Sequence, residues 1–164
     1  MIFVCVGSRP YQFNRLFEEL DRLVESGRVK SEVFAQIGAS TYEPESFPFE
    51  RFLDPDAFEA KVAESDIVIS HGASGSIMSA LNAGKGVIAV ARLQEYGEHI
   101  NDHQVGINET LGEEGLVLNV KDMSDLGGAI EAMESGAVEL KAWRNDNPTA
   151  IVDAIDRFIQ EEIL

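Results

Sequence analysis

Basic residues, cysteine and long apolar runs are all scarce in this 164-residue chain. Only 13 Lys and Arg stand against 29 Asp and Glu, for a formal net charge of −16. That balance excludes a nucleic-acid backbone or an anionic lipid surface as a direct partner. A nucleotide stays open, because a local site can be positive inside an acidic protein, and so does a basic partner protein. The single cysteine, Cys5, rules out an internal disulfide and points to a reducing cytoplasm. No apolar run nears the ~20 residues of a membrane span. The opening IFVCV run is too short and too β-branched for a signal peptide and lacks a basic flank. Repeats, low-complexity tracts and long linkers are missing too, so residues 1–164 read as one domain.

What is present is an alternation of strand-like runs and amphipathic stretches, the pattern of a layered α/β domain. Strands are predicted at Ile2–Val6, Val33–Ile37, Ile67–Ile69, Val87–Ala91 and Leu116–Val120, with a short one near Phe49–Leu53. Phe13, Leu16, Phe17, Leu20, Leu23 and Val24 recur at helical spacing, with Glu18, Glu19, Asp21 and Arg22 on the solvated face. Asp54 and Pro55 open a helix that runs to about Glu64. Further helices are predicted from about Asn101 to Glu113, around Leu126–Met133, and after Asn147 and Pro148. Small turn residues recur after successive strands (Gly7 and Ser8, Gly38 to Ser40, Gly72 to Ser76), and in a parallel sheet these lie at one edge, where ligands bind.

The stretch from Asp66 to Gly84, DIVISHGASGSIMSALNAG, carries the most chemistry. A buried strand ends in the small-residue turn Gly72, Ala73, Ser74, Gly75, Ser76 and passes directly into a helix. The helix's first N–H groups are then unpaired at the carboxyl edge of the sheet, and its dipole adds about half a positive charge. A phosphate is the natural guest, with His71 and the Ser74 and Ser76 hydroxyls beside it; small residues there also suit plain close packing. The turn is neither a P-loop nor a dinucleotide fingerprint, since GKS/T and GxGxxG are both missing.

Other patterns compete. Gly72-Ala73-Ser74 resembles a hydrolase elbow, but Ser76 stands where its last glycine is required. His99 and His103 have the i, i+4 spacing of zinc ligands, with His71 or Asp102 as a third, yet the HExxH glutamate is absent. The block Asn101-Asp102-His103-Gln104 can cap a helix and still present Gln104 inward. Arg92, just after a buried strand, can counter a phosphate or pair with one of many carboxylates.

Taken together, HGASGSIMSALNAGK, GEHINDHQ, VGSRPYQFNRL and FAQIGASTYEP resemble the C-terminal, donor-binding domain of glycosyltransferase family 28. The likeness covers nearly the whole chain in order. It is strongest to stand-alone halves of split enzymes in N-glycan precursor and exopolysaccharide synthesis. The resemblance implies a Rossmann-like, mostly parallel sheet with helices on both faces, the C-terminal half of a GT-B fold. It implies a cytoplasmic UDP-sugar-binding subunit that needs no cofactor or metal. A membrane-associated partner would recruit it and supply the acceptor-binding half and a lipid-linked sugar acceptor. The chain opens at the donor domain's first strand, which agrees with that split arrangement.

By the same resemblance Gly72 to Ser76 hold the diphosphate, with Ser76 a hydroxyl contact and His71 a polar or basic neighbour of the phosphates. Gln104, with Asp102 and His103, faces the donor sugar, and Gly7 and Ser8 line the interdomain cleft. Two positions depart from the pattern. Ser79 stands where many relatives carry a glutamate that binds the ribose hydroxyls, and Gly86 where a Lys-Pro pair is usual after Gly84. The first departure also suits a non-catalytic sugar-nucleotide-binding regulatory subunit.

Overall fold

The computed structural model describes residues 1–146; the helix expected after Asn147 and Pro148 lies outside them. Six strands form one parallel sheet: β1 (Ile2–Cys5), β2 (Val33–Gln36), β3 (Phe49–Glu50), β4 (Ile67–Ser70), β5 (Gly86–Val90) and β6 (Leu118–Val120). Their spatial order is β3-β2-β1-β4-β5-β6. β1 and β4 are buried at every position, as β-branched strands covered on both faces must be. Alternation along β1 divides the core. Ile2, Val4 and Val6 join one apolar cluster, and Phe3 and Cys5 join another.

Helices α1 (Asn14–Glu25) and α5 (Leu126–Glu134) close the first layer with Leu16, Phe17, Leu20, Leu126 and Ile130. Helices α2 (Pro55–Glu64), α3 (Ser74–Asn82) and α4 (His103–Glu113) lie over the second, which takes Val62, Ile77, Ala80 and Leu81. Asp54 caps α2 through a 2.8 Å bond from the Ala57 N–H, with Pro55 at the first helical position as expected. The sheet order reverses between β1 and β4, so the loops after these two strands diverge. The crevice they leave at the carboxyl edge is where such sheets take ligands.

Several expectations are corrected. Asp21 is not on a solvated face: it is buried and accepts from the Tyr42 hydroxyl (2.7 Å) and the Glu45 and Ser46 N–H groups (2.9 and 2.8 Å). Desolvation works against its charge, but these bonds together outweigh that and hold its pKa below the usual carboxylate range. The same bond pushes Tyr42 up to about 12. Asp21 therefore pins the proline-containing connection to α1. β6 is shorter than predicted because pairing with β5 begins only at Leu118; Leu116 and Val117 pack against the core from the preceding turn. Only Phe49 and Glu50 of the third run pair with β2.

Candidate functional site

Helix α3 begins at Ser74, so Ser74, Gly75 and Ser76 are its first turn and the connection itself is only His71, Gly72 and Ala73. Ala73 occupies the N-cap position and makes no side-chain cap bond, which leaves the first-turn N–H groups without a side-chain acceptor. Gly72 has φ +87°, and a Cβ there would fall 2.8 Å from Asn108 Oδ1. Only glycine lets the chain turn this tightly under α4.

His71, Gly72, Ala73, Ser74, Arg92, Asn101, His103 and Gln104 line a single cavity of about 390 Å³, together with Arg9, Tyr11, His99, Ile100 and Ile107. Gly75, Ser76 and Asp102 are not among its walls. Gly7 and Ser8 line a neighbouring cleft of about 300 Å³. The two are separated by one contact: a Cβ on Gly7, at φ +73°, would sit 3.0 Å from the His71 ring. A larger cavity, about 630 Å³, opens at the opposite edge around Asp66, Lys85 and Trp143 and contains none of these residues.

Arg92 is the central charge. It is completely buried, and its Nη2 donates to the Tyr11 carbonyl at 3.0 Å, while Nε and Nη1 have no partner among the described residues. Burial pushes its pKa down to about 10, against the pull of nearby Glu98. Glu98, also completely buried, is already committed. It takes two bonds from Arg15 (2.6 and 3.0 Å) and one from the Leu93 N–H (2.8 Å). Glu98 is ion-paired with Arg15, and its pull reaches Arg92 without a direct contact. No ion pair among the described residues involves Arg92. A buried cation with two free donors beside an uncapped helix N-terminus is built for an anion.

His71 brings no positive charge to this site. Its Nδ1 lies 3.2 Å from the Cys5 carbonyl, which can only accept, so Nδ1 carries the proton and Nε2 the lone pair. Burial first, then Arg92, pushes its pKa down to about 3. The unfolded chain therefore binds a proton that the folded chain refuses between about pH 6.5 and 3. Stability supported by neutral His71 is complete above the unfolded pKa and falls as the solution is acidified through that window, by about 1.4 kcal/mol per unit. In unfolding curves from pH 6 to 4, His71→Gln should show a smaller loss of stability than the parent. An equal loss would assign the slope to other groups.

Ser76 lies against the buried Cys5 thiol, and its hydroxyl together with that of Ser70 opposes the effect of burial, which pushes the thiol up to about 12. Gln104 is buried and its Oε1 accepts from the Arg92 N–H at 3.3 Å, which fixes it to the end of β5. Asp102 stands at the N-cap position of α4 but does not cap it, because its carboxylate accepts from the Gln94 N–H at 2.7 Å. Asn101 accepts from the His103 N–H and ring. Asp102 and Gln104 thus spend hydrogen bonds on the segment after β5, and α4 starts two residues later than predicted.

Sequence reasoning passed over Arg9, Tyr11, Glu98 and Asn108. Asn108 is completely buried, and neither the oxygen nor the nitrogen of its amide has a partner among the described residues. It follows Gln104 at i+4, and these two amides are the only fully buried residues of α4. That missing apolar stripe was the available signal. Ser79, in the middle of α3, donates to Glu59 Oε1 at 2.8 Å. Gly86 opens β5, with Met133 of α5 packed over its α-carbon.

Comparison with known proteins agrees with this geometry. The chain is 34% identical over 85 residues to the UDP-N-acetylglucosamine transferase subunit ALG13 of Homo sapiens, a match covering 49% of this chain and 7% of that protein. Among solved structures, MurG of Acinetobacter baumannii superposes with a TM-score of 0.63 at 15% identity, over 96% of this chain and 49% of that one. The spinosyn forosaminyltransferase SpnP gives 0.59 at 15%, over 98% and 44%. The chain thus spans less than half the length of each of these proteins, and the two structural likenesses establish the fold: the Rossmann-like sheet of GT-B glycosyltransferases. The model of the glycosyltransferase family 28 C-terminal domain matches residues 1–158, and the chain belongs to that family.

Proposed function

We propose that this protein is the donor-binding subunit of a split UDP-sugar glycosyltransferase, which transfers a hexosyl or N-acetylhexosaminyl group to a lipid-linked acceptor. The observation that carries the reading is Arg92, buried with two unpaired donors in the cavity that ends at the uncapped N-terminus of α3. ALG13, by its name, is a subunit of a UDP-N-acetylglucosamine transferase, which supports both the donor class and the dependence on a second chain. Among the described residues no helix is long and apolar enough to cross a membrane, in keeping with recruitment through a membrane-associated partner.

The chemistry asked of this half is stabilisation of the leaving group. As the bond from the sugar's anomeric carbon to UDP breaks, charge grows on the diphosphate. The α3 N–H groups, the Ser74 hydroxyl and Arg92 would take up that charge with little reorganisation, because all are fixed beforehand. His71, neutral and held by Cys5, positions the turn. Gln104, Asn101 and His103 at the other wall would meet the sugar. The base that deprotonates the acceptor is assigned to the partner.

Calorimetric titration of UDP, UDP-N-acetylglucosamine and UDP-glucuronate, with ADP as control, tests the donor site. Uridine-selective binding is expected, and it should weaken in Ser74→Pro, which fits the first helical position of α3 but deletes its N–H and its hydroxyl. Coexpression with the membrane-associated partner should then yield transfer that the chain alone does not give. Full turnover by the purified chain alone would overturn the split assignment. Donor binding unrelated to the transfer rate of the complex would leave a regulatory subunit instead.

A further inference from the structure

We infer that the donor sugar is a uronate, a hexose carrying a carboxylate, and that Arg9 at the mouth of the Arg92 cavity is the residue that reads it. This narrows the donor-site reading given above, on which it rests, to one class of sugar. The chain has 29 acidic residues and a net charge of −16. Yet no carboxylate among the described residues lines this cavity of about 390 Å³, whereas two arginines, Arg9 and Arg92, do. Neither arginine belongs to an ion pair among the described residues, although acids are in large excess. Positive charge gathered without counter-ions inside an acidic molecule marks a place for an anionic guest.

Hydrogen-bonding capacity points the same way. The hydroxyls of a neutral hexose donate as well as accept, and they are held most strongly where a carboxylate can receive them. This cavity has its side-chain amide oxygens already occupied. Gln104 Oε1 takes the Arg92 N–H at 3.3 Å, and Asn101 Oδ1 takes the His103 N–H and ring. The unmet groups are donors: Arg92 Nε and Nη1 inside, and the exposed Arg9 guanidinium at the mouth. A diphosphate on α3 and Arg92 answers the inner ones only. A carboxylate on the sugar brings two acceptor oxygens and one negative charge, and it matches the planar fork of a guanidinium.

The loop that carries Arg9 is tied to the inner charge. The Tyr11 N–H donates to the Arg9 carbonyl at 2.8 Å, and the Tyr11 carbonyl in turn accepts from Arg92 at 3.0 Å. The Tyr11 ring lies against His99, with centroids 5.0 Å apart, and His99 lies against His103 at 4.8 Å. The mouth is thus a packed aromatic rim with one cation on it. Arg92 is left to the phosphates, and Arg9 determines specificity for the sugar attached to them.

The test is calorimetry on the full chain, on Arg9→Gln and on Arg9→Lys. UDP-glucuronate is compared with UDP-glucose and UDP-galacturonate with UDP-galactose, with UDP and UDP-N-acetylglucosamine alongside. Arg9 is exposed in a loop, so its replacement leaves the fold intact. In one of the two pairs the parent should bind the uronate about tenfold more tightly than the neutral sugar, the size of one charge-assisted contact. Arg9→Gln should bring that ratio close to one without weakening UDP, which has no sugar. Arg9→Lys, which keeps the charge but not the fork, should retain part of it. Ratios near one in both pairs, tighter binding of UDP-N-acetylglucosamine than of either uronate, or a preference that survives Arg9→Gln would overturn the uronate assignment, and UDP binding would leave the diphosphate site standing. Failure of UDP itself to bind would overturn the two together.

Discussion

Replacing Arg92 with methionine should make the free protein more heat-stable while weakening UDP binding by roughly a hundredfold. The two effects have one origin. In the unliganded protein Arg92 is a fully buried cation with one hydrogen bond and two donors unmet. An apolar side chain of similar length removes the desolvation cost and keeps contact with the Phe13 ring, over which the guanidinium now lies at 5.7 Å. Such replacements of buried charge are commonly neutral or stabilising by about 1–4 kcal/mol. The same change deletes the donors that a diphosphate would use. Thermal denaturation and UDP calorimetry on one preparation read both quantities. A variant that is less stable yet binds UDP normally would show that Arg92 is structural and that the anion site lies elsewhere.

Glu98→Ala should be among the most damaging single substitutions outside the apolar core. It removes the buried carboxylate that pairs with Arg15 and acts on Arg92, and with it the acceptor for the Leu93 N–H. Breaking a buried pair on one side costs about 3–5 kcal/mol, which for a chain of this size lowers the melting temperature by roughly 10 °C. Glu131→Ala is the matched control. Its partner Arg28 is also an arginine, but both side chains are near half exposed, at 40% and 46%, and such pairs contribute at most about 1 kcal/mol. Added pyrophosphate should recover part of the Glu98→Ala loss, because an anion in the cavity supplies the missing negative charge. Equal melting points for the two variants would refute the charge balance drawn around Arg92.

The layers of the fold were legible because each strand is short, β-branched and followed by a small-residue turn, and because α1 carries an unbroken apolar stripe. The carboxyl-edge location of the site followed from the same turns. What escaped was whatever depends on pairing across the sequence. Arg15 and Glu98 are 83 residues apart, and no local pattern announces that they meet. Asp21 read as a surface charge because the residues grouped with it, Glu18, Glu19 and Arg22, are all charged; its partners lie on a connection with no period of its own. At Asn101 and Asp102 the residue types were right for a cap, but the Gln94 N–H in the loop after β5 takes the Asp102 carboxylate, and Asn101 is taken by His103. Ser79 read as a loss on α3 alone, since the carboxylate that faces it belongs to a different helix.

Helix α4 differs from its neighbours in what it buries: two amides, Gln104 and Asn108, in place of an aliphatic stripe. Aliphatic contact is indifferent to small slides and rotations, whereas an amide is satisfied only in the direction of its partner. The adhesion of α4 to the sheet is therefore directional, and half of it is unclaimed, because the Asn108 amide has no partner. A helix held in this way sits lower on the local unfolding scale than one held by an aliphatic stripe. Loss of order in the second layer should therefore begin at α4, before it reaches the helices that rest on aliphatic side chains.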